Sequence, residues 1–507
     1  MSKSKKIEIP ALINNQWLNS WDNVLFDSLK LRTKPQPYFY VFSIKASWLR
    51  QLSKVYARKA NKKRIDDTAI QRAHDPNRSK KIFSYIIGGF PWSDLKEDQQ
   101  GSADYNDHKM PGWLPTAIIA NILTAETKRG SSVISNEDLI EISAIENKSC
   151  KIILPEKFLE KKWDPKVPPI EIIDGQHRLW AFDSIKNSNV ANDYELPVVA
   201  FHGLDVVWQA YLFYTINIKP KKINQSLAFD LYPLLRIQEW LEKAPLGSSI
   251  YRDTRAQEIT EILWTYKRSP WYKKINMLGE SNNASVSQAA FIRSIAASFL
   301  RVTKKKGVGG LFSHELRNDK VLNWSRTQQT AFVVLAWNLL KQSIKNSKEK
   351  WATSLRSAQD SLFDSSEDEA FYGKYSMINS DQGVRGFMMV VNDMCFQASK
   401  QLSFDLQAEL SLEEESVDEK ELGNVVKFFQ NHELYEFLKD ITSSVSKFDW
   451  RTSSFQRLSD KEKKSQLVYR GGSGYKELRS ELLKLLLKES KNKVVKKTAA
   501  ELIKLKD

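Results

Sequence analysis

Between Pro168 and Phe182 the chain reads PPIEIIDGQHRLWAF. The run IEII has the β-branched, apolar content of a strand covered on both faces. Asp174-Gly175 interrupts it, and helical spacing follows. Gly175 permits a sharp turn because it has no Cβ to clash. A helix starting at or just after Gly175 presents unpaired backbone N–H groups and a positive dipole end, and His177 and Arg178 in its first turn add charge-assisted donors. Such a turn suits a phosphate. Asp174, at the strand end, is suited either to capping the helix or to holding a magnesium ion carried by a nucleotide. Singly, His177 reads as a structural histidine and Arg178 as a surface ion pair. Their meeting in one strand-to-helix turn of a basic protein is what favours phosphate chemistry.

Strands and helices alternate on both sides of this turn. YFYVFSIK (Tyr38–Lys45) alternates like a strand and leads into the helical spacing of ASWLRQLSKVYARKA. In DPNRSKKIFSYIIGG, Asp75 is placed as an N-cap, Pro76 at the first helical position and Gly88-Gly89 at the close. WLPTAIIANILTA, CKIILPE and LPVVAFHG read as further buried strands, and DVVWQAYLFYTIN as a helix. Beyond Tyr232 long helical segments replace this pattern, among them LLRIQEWLEKA, SQAAFIRSIAASFL and QQTAFVVLAWNLLKQSI. The expectation is an arm over 1–35, an α/β domain over 36–232, a helical domain over 233–410, and an acidic linker with a basic helical region over 411–507.

The chain has 507 residues, 41% of them apolar and 27% charged, with 15 Trp, which is the composition of folded domains. The apolar run Ala331–Leu340 falls short of the ~20 residues of a membrane span. The N-terminus lacks the apolar core of a secretory signal, so a cytoplasmic protein is expected. Cys150 and Cys395 are far apart, and no two of the six histidines have metal-ligand spacing, so no metal site of the protein's own is expected. The formal net charge of +16 favours an anionic partner, with DNA the expected one. A merely well-solvated basic surface is the alternative.

DGQHRLWAF resembles the signature of the DGQHR-domain family, the DndB- and DpdB-like DNA-modification proteins. NRSKKIFSYI ahead of it and FYTINIKPKKINQSL behind it are similar to the family's surroundings, and the resemblance covers roughly Tyr38–Leu300. The family in turn resembles the ParB and sulfiredoxin superfamily, in which a Gly-x-His-Arg or related turn holds the phosphates of a nucleoside triphosphate. The resemblance implies an α/β domain of that kind followed by a mostly α-helical C-terminal region. It also implies ATP with Mg2+ as the bound nucleotide, and Gly175, His177 and Arg178 as phosphate contacts. Where sulfiredoxins carry a catalytic cysteine this chain has Gln176, which excludes cysteine-sulfinate repair and leaves Gln176 able to orient a group or a water. Asp174, Gln176 and His177 are then the catalytic candidates.

Asn217, at a helix end, is placed either to cap that helix or to reach the site, and Arg78, heading the earlier helix, to complete a phosphate cradle. Lys219, Lys221 and Lys222 are candidates for phosphate contact with nucleotide or DNA, or for a solvated loop. YRGGSGYKELRS (Tyr469–Ser480) lacks the Walker A spacing and reads as a helix entry. The function expected is ATP binding and hydrolysis in a bacterial DNA-modification or anti-phage defence system, together with DNA and other proteins of its operon. The rival from another class is a DndB-like DNA-binding transcriptional regulator without turnover. A nuclease is least favoured, since no cluster of Asp, Glu and Lys with two-metal character is visible.

Overall fold

Along Glu8–Asn15 the residues Ile9 and Ala11 are buried while Leu12 faces outward, the period-two pattern of a pleated strand. This strand, β1, lies inside a sheet: Ala11 pairs with Phe42 on one side and with Cys150 on the other. The stretch expected to be an arm is therefore in part an interior strand. Glu8, Pro10 and the flanking Asn residues hide its pattern, because proline normally argues against an interior strand.

The structure is a computed structural model. It describes residues 6–30, 32–56, 74–145, 148–160, 162–184, 190–217, 224–231, 249–279, 286–301, 307–313, 324–358, 367–399 and 417–505. The chain divides into two compact units, 1–222 and 223–507.

The first unit continues with β2 (Tyr38–Lys45), α1 (Ala46–Leu52), β3 (Ser53–Lys54) and α2 (Pro76–Trp92). Then come β4 (Ile118–Ile122), β5 (Glu141–Ala144), β6 (Ser149–Ile153) and β7 (Ile170–Asp174). The last elements are α3 (Gln176–Trp180), β8 (Glu195–His202) and α4 (Val206–Asn217). Eight strands form one mixed sheet in the order β3-β7-β4-β8-β2-β1-β6-β5. Within it β3 runs parallel to β7 and β8 parallel to β4, and the remaining neighbours are antiparallel. Ile170, Glu171, Ile172 and Ile173 are all buried, as a strand covered on both faces requires. Glu171 is tolerated there because Arg129 Nε donates to it at 3.1 Å.

Helix α1 ends at Leu52, earlier than its spacing suggests, and gives way to β3. In α2, Asp75 accepts from the backbone N–H of Asn77 and Arg78, and Pro76 occupies the first turn as expected. The regular helix stops where Gly89 turns to φ 63°, with a Cβ there only 2.4 Å from the Met110 carbonyl oxygen.

The second unit is helical. Its longer helices are α5 (Ser249–Thr265), α6 (Gln288–Ala297), α7 (Arg326–Lys345), α8 (Asp381–Ala398), α9 (Leu422–Gln430), α10 (Glu433–Val445), α11 (Gly474–Glu489) and α12 (Lys493–Lys504). One hydrophobic core runs from Ala256 to Leu502, so the helices after residue 421 share it with those before residue 400. Trp337 lies at its centre, 5.1 Å from Trp271 and 4.6 Å from Phe387 between ring centroids. The segment LLRIQEWLEKA and the acidic residues 411–416 lie outside the described residues. No helix among the described residues is long and apolar enough to cross a membrane.

Candidate functional site

Strand β7 delivers Asp174 to the sheet edge, and Gly175 turns the chain with φ 96° and ψ 10°. A Cβ at Gly175 would lie 2.5 Å from Ile118 Cδ1 and 3.1 Å from an Arg178 terminal nitrogen. Glycine is required here both by the left-handed backbone and by the close approach of its neighbours.

The turn opens onto a cleft of about 1380 Å³. Asp174, Gly175, Gln176, His177 and Arg178 line one wall of it. Helix α2 contributes Arg78, Lys81, Ile82 and Tyr85, and α4 contributes Phe213, Ile216 and Asn217. The seven residues singled out in sequence as catalytic or nucleotide-binding thus meet in one place. Lys219, Lys221 and Lys222 lie outside the described residues.

Arg178 Nη2 donates to Asp174 Oδ2 at 2.8 Å, and Nη1 donates to the Thr116 carbonyl at 2.7 Å. Both side chains of this pair are mostly buried, at 18% and 21% exposure. Burial pulls the Arg178 guanidinium below its ordinary range, Asp174 opposes that, and the like charge of Arg78 adds to it. An anion bound beside Arg178 would offset the like charge that Arg78 presents to it.

Asn217 Nδ2 donates to Asp174 Oδ1 at 3.1 Å and to the Phe213 carbonyl at 3.1 Å. Asp174 consequently ties α4 to the turn. It makes no side-chain cap on α3, so the capping role open to it in sequence is not the one it takes. Helix α3 spans only five residues before a 3-10 turn at Ala181–Ser184, and the N–H groups of Arg178 and Leu179 both donate to the Gly175 carbonyl. The expected helix-dipole contribution is correspondingly small, because few aligned peptides supply it. The positive character of the cleft comes from the side chains of Arg78, Lys81 and Arg178.

His177 is buried, its ring stacked on His74 at 5.5 Å. Its carbonyl accepts from Ser79 Oγ at 3.2 Å, and that hydroxyl also bonds His74 Nε2 at 2.8 Å. These contacts hold α2 against the turn. Gln176 is 5% exposed, and its Oε1 has no hydrogen-bond partner among the described residues. It lines both the cleft and an adjoining cavity of about 460 Å³. A buried acceptor without a donor is costly unless something else supplies one.

Sequence reasoning missed Lys81, Ile82 and Tyr85, although their spacing from Arg78 puts all four on one face of α2 and was a usable signal. Phe213 lies four residues before Asn217 on the same helix and carried a similar signal, whereas Asp94 and Thr116, in loops, had none. Asp94 and Asp174 are the carboxylates of the cleft. Among the described residues no group of three or more His, Cys, Asp or Glu is placed to hold a metal ion.

No curated protein and no solved structure matches the chain. Residues 35–234, which include every residue of the cleft, match the family model DndB, DNA-sulfur modification-associated, and over this part the chain is similar to that family.

Proposed function

We propose that the cleft binds ATP with magnesium and hydrolyses it, in the service of a bacterial DNA-modification or anti-phage defence system in the cytoplasm. The similarity of residues 35–234 to DNA-sulfur modification proteins supports the setting. The net charge of +16 supports DNA as a partner, beside other proteins of the same operon. The observation that carries the nucleotide reading is the convergence of Arg78, Lys81 and Arg178 on the Asp174–Arg178 turn, inside a cleft whose other lining includes Tyr85, Phe90, Phe213 and Ile216. The cations suit a triphosphate, and the apolar residues suit a base and its sugar. In sequence the turn resembles the Gly-x-His-Arg turn of the ParB and sulfiredoxin superfamily, and a fold of that kind is part of the proposal.

In this reading Arg78, Lys81 and Arg178 hold the phosphates, and Gly175 lets them approach the backbone. Asp174 and Asp94 would hold the magnesium ion that arrives with the triphosphate and neutralises its charge; each Asp174 oxygen accepts one hydrogen bond and keeps lone pairs for it. Gln176 Oε1 would accept a hydrogen bond from the attacking water and so aim its oxygen at the terminal phosphorus. His177, fixed against His74, sits within the same wall and completes the turn's shape.

Gln176→Ala is expected to lower phosphate release about 100-fold while leaving ATP affinity within a few-fold of wild type, because a water-positioning group acts mainly in the transition state. Phosphate release and calorimetric binding measure the two separately. A specific observation favours the second reading, a DndB-like DNA-binding regulator without turnover: both terminal nitrogens of Arg178 and both oxygens of Asp174 are already bonded within the protein. Wild-type protein that releases no phosphate from ATP, alone or with DNA, would decide for that regulator.

A further inference from the structure

We propose that a second cavity of the first unit, between the Trp17–Arg32 segment and helix α4, receives an unstacked nucleobase of single-stranded DNA. The inference does not depend on the nucleotide cleft. The cavity measures about 600 Å³, within the range of ligand pockets, roughly 300 to 1,000 Å³. Seven of its eight rings, Tyr38 apart, come from three places: Trp17, Trp21 and Phe26 from the N-terminal segment, Phe39 and Phe201 from adjacent strands, and Trp208 and Tyr211 from α4. Five of these rings follow one another around the wall: Trp21 with Trp17 at 5.5 Å, Trp17 with Phe26 at 6.3 Å, Phe26 with Trp208 at 6.3 Å, and Trp208 with Tyr211 at 6.1 Å.

The site is held in shape by hydrogen bonds made at the ring edges. Trp17 Nε1 donates to Asp22 at 3.2 Å and Trp208 Nε1 donates to the Thr33 carbonyl at 2.8 Å. Thr33 in turn donates its N–H and its hydroxyl to Asp205, at the start of α4, at 2.7 and 2.5 Å. The indole N–H groups of Trp17 and Trp208 are thereby satisfied, so a guest meets ring carbon there and no free donor. None of these rings belongs to the hydrophobic core, and Trp21 and Tyr211 are 42% and 57% exposed at the rim.

Charge selects the guest. Arg32 lines the cavity with its guanidinium 5.3 Å from the Trp208 ring centroid, and no Asp or Glu among the described residues lines it. A cationic guest such as a methylated lysine is disfavoured. A planar guest bearing an anion fits, with its ring stacked on the aromatic faces and its phosphate on Arg32. Single strands meet that description because their bases are free to leave the stack, whereas in a duplex the faces are already covered. Trp17, Trp21, Phe26 and Arg32 precede residue 35, so this wall lies outside the part of the chain that matches the DndB family.

The test is fluorescence anisotropy of a labelled single strand of about 15 thymidines on the full chain, beside the same length of duplex and a proline-rich peptide, which aromatic grooves also take. The single strand should bind more tightly than the duplex and quench tryptophan fluorescence. The Trp21→Ala/Tyr211→Ala double variant should lose about tenfold or more of that affinity. It should melt with wild type, since both rings are at the rim; should it not, Arg32→Glu alone must weaken the single strand similarly. Saturating ATP with magnesium should leave binding of the single strand to wild type unchanged, which separates failure here from failure of the ATP reading. Undiminished affinity in these rim variants, preference for duplex, or displacement of the strand by the proline-rich peptide would overturn the proposal.

Discussion

Replacing Asp393 with alanine is expected to destabilise the helical unit by about 3–5 kcal/mol, because it removes one partner of a buried ionic network and leaves the others uncompensated. Asp393 lies in α8 with no exposure. Its Oδ1 accepts from Arg301 at 2.6 Å and from Asn392 at 3.0 Å, and its Oδ2 accepts from Arg479 of α11 at 2.5 Å. Asn392 extends the network by accepting from the Leu311 N–H at 2.8 Å and donating to the Gly309 carbonyl at 3.0 Å. Three chain segments far apart in sequence meet on this one carboxylate. The melting midpoint followed by circular dichroism should fall by about 6–20 °C, at roughly 2–4 °C per kcal/mol for units of this size. A fall under about 2 °C would mean that water replaces the carboxylate at little cost, and that the network does not hold these segments together.

Gly175→Ala is the second large effect, and it bears on the cleft. A left-handed backbone costs a residue with a side chain about 1–3 kcal/mol. Here the new methyl would also press on Ile118 Cδ1 at 2.5 Å, and Ile118 is fully buried. Gly130 supplies the comparison: its φ is 62° and nothing lies within 4 Å of a Cβ placed there. Gly130→Ala should pay the backbone cost alone, and Gly175→Ala should pay more and also weaken ATP binding through the shifted Arg178. Urea denaturation of the two variants measures the difference. Equal destabilisation would mean that Ile118 yields freely, and the turn would then owe its glycine to φ alone.

What the chain discloses before folding is chiefly local. The alternation in Tyr38–Lys45, the cap and proline at Asp75-Pro76, and the β-branched run into Asp174-Gly175 each act over a few residues, and each element forms where the pattern puts it. The mixed α/β part with helices after it follows from the same patterns. Sheet order does not. That Ala11 sits between Phe42 and Cys150 depends on partners separated by more than a hundred residues, and no local period carries that information. The motif residues of the cleft were legible because they lie within five positions. The α2 wall was legible in part, through Arg78. The bonds from Asn217 to Asp174 and from Arg178 to the Thr116 carbonyl arise only when α4 and the residues before β4 come together.

Whether the Asp174–Arg178 cleft binds the phosphates of a nucleotide is read from calorimetric titration of ATP with magnesium into wild type, Arg78→Ala and Arg178→Ala. Arg78 is exposed, so its loss leaves the fold intact and reports on the ligand alone. Wild type should bind ATP at one site per chain. Each variant should bind about 10- to 150-fold more weakly, as the loss of a charged hydrogen bond of about 1.5–3 kcal/mol requires. Folded wild-type protein that takes up no ATP, or an Arg78→Ala variant that binds it as tightly as wild type, would mean that this cleft does not hold a nucleotide's phosphates.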